Sequence, residues 1–453
     1  MNDMPRTRLG RASSRGDSAG GNLSLGPSLP PAMPPDPPAQ RNRPLRSGLF
    51  GVLDVGSSKV CCLIGRVDPD GVPRIEGFGL FASRGVRSGG ITDLDEANHA
   101  VLMAVAGAEQ MSGHRLRNVV VNLSCGLPVS RPMNLQWPVG GRPVTELDLK
   151  RVLAEARGRA VADGRETMHV LPLGFEVDET PGVADPRGLH CDNLTAHLHI
   201  IDAGATAYRN LLTTISRAEL DVSELVSAPI AAGLSTLVED ERQLGATVVD
   251  MGGGTTDIAV FSEGHVVHTA QSPLGGSHVT RDIAQMLSTP VAHAERLKTL
   301  YGNAEGSPDD EREMLPIPLV GEEEHQIHKV PRSQVVGVIR PRLEETFEMV
   351  RDKLDSAGLL RDSGNRVVLT GGASQLVGAR EMAARILDRQ VRLGRPTNIR
   401  GLPELHDGPA FATAAGLLAW AAGAGRSLPD LELSDDGESG FVRRLINFLR
   451  DRV

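Results

Sequence analysis

Val248-Val249-Asp250-Met251-Gly252-Gly253-Gly254-Thr255-Thr256-Asp257 carries an apolar β-type run into an Asp, three glycines and two threonines, and Ile258 to Phe261 then turns apolar again. The pattern predicts a β-hairpin whose tight turn presents backbone N–H groups and hydroxyls. Three consecutive glycines weaken a strand at an entropic cost. Close approach of the backbone to a phosphate accounts for them, because successive N–H groups in such a turn form an anion-binding nest. A turn of the same design lies far upstream, Val52-Leu53-Asp54-Val55-Gly56-Ser57-Ser58-Lys59, followed by apolar residues from Val60 to Ile64. Taken alone, the upstream turn reads equally well as a structural hairpin. The pair predicts one phosphate tail clamped between two related domains, with Asp54 and Asp250 facing Mg²⁺ through its bound waters.

Two further signals extend this reading. Val367-Val368-Leu369-Thr370-Gly371-Gly372-Ala373-Ser374 is a buried strand ending in a double glycine. Ligands gather at the carboxyl ends of strands in α/β sheets, and Gly371, Gly372 and Ala373 let the backbone pass close to a base or sugar. An ordinary strand-to-helix turn is the alternative. Glu295 and Lys298 stand three residues apart on one helical face, where they could bind ribose hydroxyls or form a surface ion pair. No P-loop and no Rossmann glycine fingerprint between a strand and a helix occurs, so the expected phosphate site is of the hairpin type. The 13 His are scattered; His197 and His199 alternate on a strand and read as packing residues.

Composition narrows the function. A net charge of −9 with 3% aromatic residues argues against nucleic-acid binding. Cys61, Cys62, Cys125 and Cys191 form no C-x-x-C pair, so neither zinc nor a disulfide framework is signalled and a reduced cytosolic setting is expected. No apolar run of about 18 residues is present to span a membrane, and the amino terminus lacks the continuous apolar stretch of a signal peptide.

The 453 residues have room for roughly two to four domains. Residues 1–47 contain nine prolines and seven Arg against three Asp, which predicts a disordered tail. Strands are expected at Leu49 to Val55, Lys59 to Val67 and Ile75 to Phe81. Helices are expected at Asp93 to Met111, Glu146 to Ala162 and Val335 to Ala357. Gly423 to Gly440 carries five acids and one Arg, as a flexible linker does. The terminal segment is amphipathic. At 100° per residue Phe441, Val442, Leu445, Ile446, Phe448 and Leu449 fall on one side, with Arg443, Arg444 and Arg450 opposite. A tethered helix with net charge +3 predicts an interfacial membrane helix; docking on a partner groove is the alternative.

The order of these parts resembles the superfamily of actin, heat-shock chaperones and sugar kinases. Within it the chain resembles the FtsA family of bacterial cell-division proteins over about residues 49 to 453. Gly51 to Lys59, Gly89-Gly90-Ile91-Thr92-Asp93, Val248 to Phe261, Gly275 to Ala284, Ala294 to Lys298, Val368 to Ala373 and the terminal helix carry the resemblance.

The resemblance implies an α/β fold of two actin-like, ribonuclease H-like lobes around a nucleotide cleft, with an inserted FtsA-type subdomain. Residues 48–84 and 171–240 would form the first lobe, 85–170 the insertion, 241–400 the second lobe and 401–422 a closing helix. A linker at 423–440 and a membrane helix at 441–453 would follow. ATP and Mg²⁺ would be held by Asp54, Gly56, Ser57, Ser58 and Lys59 and by Asp250, Gly252, Gly253, Gly254, Thr255, Thr256 and Asp257. Glu295, Lys298, Gly371, Gly372 and Ala373 would surround the nucleoside. It further implies a polymer on the cytoplasmic face of the inner membrane at the septum, binding anionic lipids and recruiting divisome proteins. The partner would be FtsZ, with Arg332 and Arg342 as contacts, and ATPase activity would be weak at most. A pilus-assembly relative and a small-molecule kinase share the fold. The first is not expected to end in a tethered helix, and the second needs a catalytic Asp base that the sequence does not single out.

Overall fold

The computed structural model describes residues 48–322, 327–359 and 364–424. The expected tail, most of the linker, and the terminal helix with Phe441, Val442, Arg443, Arg444, Leu445, Ile446, Phe448, Leu449 and Arg450 lie outside the described residues. In the first lobe β1 (Leu49–Val55) and β2 (Lys59–Val67) pair antiparallel through the upstream turn, and β3 (Pro73–Ala82) adds to β2. The small hairpin of β4 (Val86–Arg87) and β5 (Gly90–Ile91) leads into α1 (Leu94–Ser112). That helix starts where the Asp93 carboxylate accepts the Asp95 and Glu96 amides, and it stops at Gly113 in the left-handed region. Its alanine-rich face, Ala97, Ala100, Ala104 and Ala108, is buried, and the helix packs on β3. β6 (Asn118–Leu123) then runs parallel to β1.

β7 (Val129–Pro138), α2 (Glu146–Ala160), β8 (Arg165–Val177), β9 (Thr180–Val183) and β10 (Asn193–Gly204) build a separate unit, with strand order β7-β10-β8-β9. α2 opens with the expected capping box between Thr145 and Asp148. The unit has its own core, including Leu135, Leu149, Phe175, Leu194 and Leu198. α3 (Ala205–Ser216) and β11 (Asp221–Ser227) return the chain to the first lobe, where β11 pairs with β6. The inserted sheet therefore runs from Val129 to Gly204 and corrects the expected limits of 85–170. α1 and β6 belong to the first lobe because α1 is covered by β3 and β6 is paired with β1. β7 escaped the sequence reading. Pro132 and Pro138 interrupt it, and its register against β10 supplies the order that local propensity does not.

α4 (Ala228–Thr236) and α5 (Glu239–Leu244) precede the second lobe. There β12 (Ala246–Met251), β13 (Thr256–Ser262) and β14 (His265–Ser272) form the downstream hairpin and its neighbour. α6 (Gly276–Met286), α7 (Val291–Tyr301), the β15 (Met314–Pro318) and β16 (Ile327–Pro331) hairpin, and α8 (Arg332–Ser356) follow. β17 (Arg366–Thr370), α9 (Ala379–Leu387) and β18 (Gln390–Leu393) finish the sheet, and α10 (Ala412–Ala421) closes the described chain. The two large sheets share one plan. β11-β6-β1-β2-β3 is matched by β18-β17-β12-β13-β14, each with a hairpin flanked by parallel strands. α10 contributes Ala414, Leu417 and Leu418 to the first lobe's core, and Ser235 of α4 donates its hydroxyl to the Ala412 carbonyl at 2.7 Å. No helix among the described residues is long and apolar enough to cross a membrane.

Candidate functional site

The two hairpin turns are built alike. Val55 pairs with Val60 and Met251 with Thr256, so each turn has the same loop length. The Gly56 amide donates to the Lys59 carbonyl at 3.0 Å, and the Gly252 amide donates to the Thr255 carbonyl at 2.8 Å. Asp54 and Asp250 occupy equivalent positions at the strand ends. Both are buried.

The turns also meet. A Cβ placed on Gly254 would stand 2.3 Å from the Ser57 hydroxyl and 2.8 Å from the Ser88 amide nitrogen, and one on Gly253 would be 3.1 Å from the Ser58 Cβ. The glycines thus let one lobe's turn rest on the other's. Ser57 Oγ accepts the Gly89 amide at 3.0 Å, which brings the β4–β5 hairpin to the same place. The remaining second-lobe motifs converge behind the turn. Gly276 N donates to Gly252 O at 3.0 Å and Ser277 N to Gly253 O at 2.8 Å. Gly371 sits at φ 83°, where a Cβ would lie 2.3 Å from the Asp250 carboxylate and 2.4 Å from the Met251 carbonyl. A Cβ on Gly276 would touch Ala373 at 3.2 Å and the Lys298 ammonium at 3.5 Å. Gly371, Gly372, Ala373, Glu295 and Lys298 therefore share one neighbourhood with the downstream turn.

The Glu295–Lys298 pair exists, with Lys298 Nζ 2.7 Å from Glu295 Oε2, but it is no isolated surface pair. Lys298 also donates to Gly276 O at 3.1 Å and Thr280 Oγ1 at 2.9 Å, and Thr280 in turn bonds Glu295. Arg332 and Arg342 are likewise committed within the chain. Arg332 donates to Tyr301 O at 2.9 Å and pairs with Glu313 at 3.1 Å; Arg342 pairs with Asp282 at 2.6 Å and with Glu345.

Three buried carboxylates give the site its electrostatics. Burial raises the Asp54 carboxyl, while nearby Lys59, 3.8 Å away, pulls it back down. Burial pushes Asp250 up to about 6; a hydrogen bond from Thr413 opposes this, and the Asp54 charge adds to it. Asp257 is pushed up to about 7 by burial and then by Asp250. Asp54 accepts Asn122 Nδ2 at 2.8 Å, and Asp250 accepts Thr413 Oγ1 at 2.7 Å. Asp257 accepts Thr255 Oγ1 at 2.8 Å and Gln271 Nε2 at 2.7 Å. The Lys59 ammonium lies 5.0 Å from the Phe411 ring centroid. Clustered buried acids of this kind favour a nearby cation. Among the described residues no group of three or more His, Cys, Asp or Glu could hold a metal directly.

Sequence reasoning missed Asn122, Thr413, Gln271 and Thr280. Asn122 and Thr413 reach the aspartates from β6 and α10, across 68 and 163 residues of chain, so no local pattern marks them. His199 packs in the interior and is also a hydrogen-bonded bridge: its ring contacts Ser130 Oγ at 2.5 Å and Val266 O at 2.7 Å.

Residues 247–416 match the family model described as Cell division protein FtsA, and residues 128–202 match the SHS2 domain inserted in FTSA. The second match falls on the separate sheet between β6 and α3. The chain is 43% identical over 392 residues to the Cell division protein FtsA of Agrobacterium fabrum (strain C58), covering 83% of this chain and 88% of that protein. It is 36% identical over 374 residues to the same-named protein of Escherichia coli (strain K12), covering 81% of this chain and 88% of that one. The solved PilM-PilN type IV pilus biogenesis complex is similar in fold, with TM-score 0.59 and 18% identity over 82% of this chain and 98% of that one. The architecture is the two-lobed actin-like fold with an SHS2 insertion, and the chain belongs to the FtsA family of cell division proteins.

Proposed function

We propose that this protein is an ATP-binding adaptor of cell division that holds the FtsZ ring to the cytoplasmic face of the inner membrane at the septum. The observation that carries the nucleotide part is the meeting of the two turns, Gly253 and Gly254 against Ser57 and Ser58, over Asp54, Asp250 and Asp257.

The residues present fit ATP with Mg²⁺. Ser57, Ser58 and Lys59 of one turn and Gly253, Gly254, Thr255 and Thr256 of the other offer amides, hydroxyls and one ammonium to phosphate oxygens, while Gly56 and Gly252 close the turns with their own amides and leave room for the phosphates to approach. Asp54 and Asp250 face a hydrated cation, whose charge relieves the repulsion among the buried acids. Asp257 stands behind them on Gln271 and Thr255. Gly371, Gly372 and Ala373 pass the nucleoside, with Glu295 and Lys298 at its sugar. When bound, ATP with Mg²⁺ supplies a charged bridge between the lobes, and the lobe angle it selects favours self-association. The protein's work is then assembly, with hydrolysis weak at most.

Membrane attachment rests on the amphipathic sequence pattern of residues 441–453. Phe441, Val442, Leu445, Ile446, Phe448 and Leu449 enter the interface, and Arg443, Arg444 and Arg450 face anionic headgroups at about 1 kcal/mol each. One short helix binds reversibly; a polymer presents many and multiplies the effective concentration. FtsZ and other divisome proteins are the expected partners. Arg332 and Arg342 can serve the FtsZ contact only by exchanging their present acidic partners.

The test is co-sedimentation with anionic liposomes, with and without Mg²⁺·ATP, beside a direct nucleotide-binding titration. Phe448→Glu is expected to abolish pelleting and leave nucleotide binding intact. Asp250→Ala is expected to lose nucleotide binding and the ATP-dependent gain in pelleting, and to keep weak contact with lipid. Equal pelleting by all three proteins overturns the adaptor reading. ATP-dependent phosphorylation of a small metabolite would replace it with a kinase.

A further inference from the structure

The inserted domain is rooted in one lobe and fastened to the other. Its two covalent connections, after β6 and before α3, lie side by side where the Gly204 amide donates to the Gly126 carbonyl at 2.8 Å. Arg165 braces this root, donating to Leu127 O at 2.8 Å and Asp202 O at 3.1 Å. Both connections belong to the first lobe. A few residues further on, β7 and β10 are held to β14 of the second lobe. Thr269 N donates to Ser130 Oγ at 3.1 Å, the Ser130 hydroxyl donates to His199 Nε2 at 2.5 Å, and His199 Nδ1 donates to Val266 O at 2.7 Å. The run has one consistent proton assignment. The Val266 carbonyl can only accept, so Nδ1 carries the hydrogen and Nε2 is left to accept from Ser130. His199 is 1% exposed, and burial pushes its pKa down to about 4, which keeps the ring neutral and the run intact.

The same strand touches the candidate nucleotide site. Gln271 uses both amide hydrogens, one on Asp257 Oδ1 at 2.7 Å and one on the Ser124 carbonyl at 2.7 Å. Ser124 lies two residues before Gly126, at the root of the inserted domain. Its carbonyl would also be 2.0 Å from a Cβ on Gly89, so the loop that reaches Ser57 rests on it as well. β14 thus meets Asp257 at one end and the fastening of the inserted domain at the other.

We propose that β14 is a strut that transmits the nucleotide state of the Asp257 turn to the seat of the inserted domain, through Gln271 at its input and Ser130–His199 at its output. A domain rooted in one lobe and fastened to the other cannot stay unchanged when the lobe angle changes. Either it swings about the Gly126–Gly204 pair or the fastening opens. Because coupling is reciprocal, a partner that binds the inserted domain more tightly in one nucleotide state changes nucleotide affinity by the same factor. The inference rests on the proposed nucleotide site.

Hydrogen exchange of the full chain, with and without Mg²⁺ and a non-hydrolysable ATP analogue, tests it, with binding followed separately by a fluorescent analogue. The peptides read are Val129–Pro138 and Asn193–Gly204. Wild type is expected to change exchange there by about tenfold on binding. Gln271→Met and Ser130→Ala, read at saturating nucleotide, are expected to keep the change within about twofold of none. A purely structural role would alter exchange in the free protein and leave the nucleotide-induced change in place, so the difference is the readout. If either variant fails to fold, the other still decides. Binding without any change in wild type, or a full change in a nucleotide-bound variant, overturns the strut alone. Absence of nucleotide binding in wild type overturns the site and the strut together.

Discussion

The two hairpin turns share loop length, register and strand neighbours, and they differ in what fills the same positions. Asp54 pairs across its hairpin with Cys61, whereas Asp250 pairs with Asp257. The upstream turn carries Ser57, Ser58 and Lys59; the downstream turn has Gly253, Gly254 and Thr255 there. One turn therefore supplies hydroxyls and a cation, and the other supplies bare backbone and a second buried acid. Two side-chain-rich turns could not approach this closely, since a Cβ on Gly254 already collides with Ser57. The difference teaches that a duplicated sheet plan becomes a cleft only when its two copies diverge in bulk and charge.

The largest way to break this asymmetry is Gly371→Ala. The new Cβ meets the Asp250 carboxylate and the Met251 backbone at a positive φ, and neither can withdraw. We expect a loss of roughly 3 kcal/mol, combining strain with overpacking, read by denaturant unfolding.

Next come the matched aspartates. Asp54→Ala and Asp250→Ala should each weaken Mg²⁺·ATP binding by about 100-fold. Asp54→Ala strands the buried Asn122 Nδ2 amide, whereas Asp250→Ala strands only the Thr413 hydroxyl, which can rotate, so Asp54→Ala should lower stability by about 1–3 kcal/mol more. Equal stability of the two variants would show that the partners of the two turns are interchangeable. Calorimetric titration and thermal melts separate the effects.

Asp257→Asn, with Cys61 as its counterpart, should stabilise the ligand-free protein, and by clearly more at pH 8 than at pH 5, because it removes a buried charge. The sign follows from the raised folded values of about 6 for Asp250 and about 7 for Asp257. Between the unfolded carboxylate value of about 4 and these, the folded state binds more protons. Stability from these two groups is full below that window and is lost as pH rises through about 6 and about 7. Nucleotide with Mg²⁺ favours the ionised forms, so its affinity should rise across the same window and release protons. Melts of wild type minus Asp257→Asn from pH 5 to 8 isolate this contribution.

The smallest effect is expected for Thr413→Val. It removes one hydrogen bond to Asp250 and should raise that carboxyl further, at a cost of about 1 kcal/mol. Weakening of Mg²⁺·ATP binding by more than tenfold would mean that Thr413 contacts the ligand itself.

Both hairpins, the capped helices α1 and α2, and the glycine-rich strand ends were legible along the chain. Their signals, alternation, capping residues and turn glycines, act within a few residues of where they are written. Asn122, Thr413 and Gln271 were not legible, because nothing near an Asn on a strand or a Thr on a buried helix tells which carboxylate it will meet. The limits of the inserted domain were misread for the same reason. Whether β6 joins the first sheet depends on its partner β1, and whether β7 forms at all depends on β10. Local chain chemistry thus settled which segments become hairpins and helices. The pairing of distant segments settled that the two turns touch, that three acids are buried together, and that a neutral His199 fastens the inserted domain to the opposite lobe. Burial and long-range hydrogen bonds exist only once the lobes have packed.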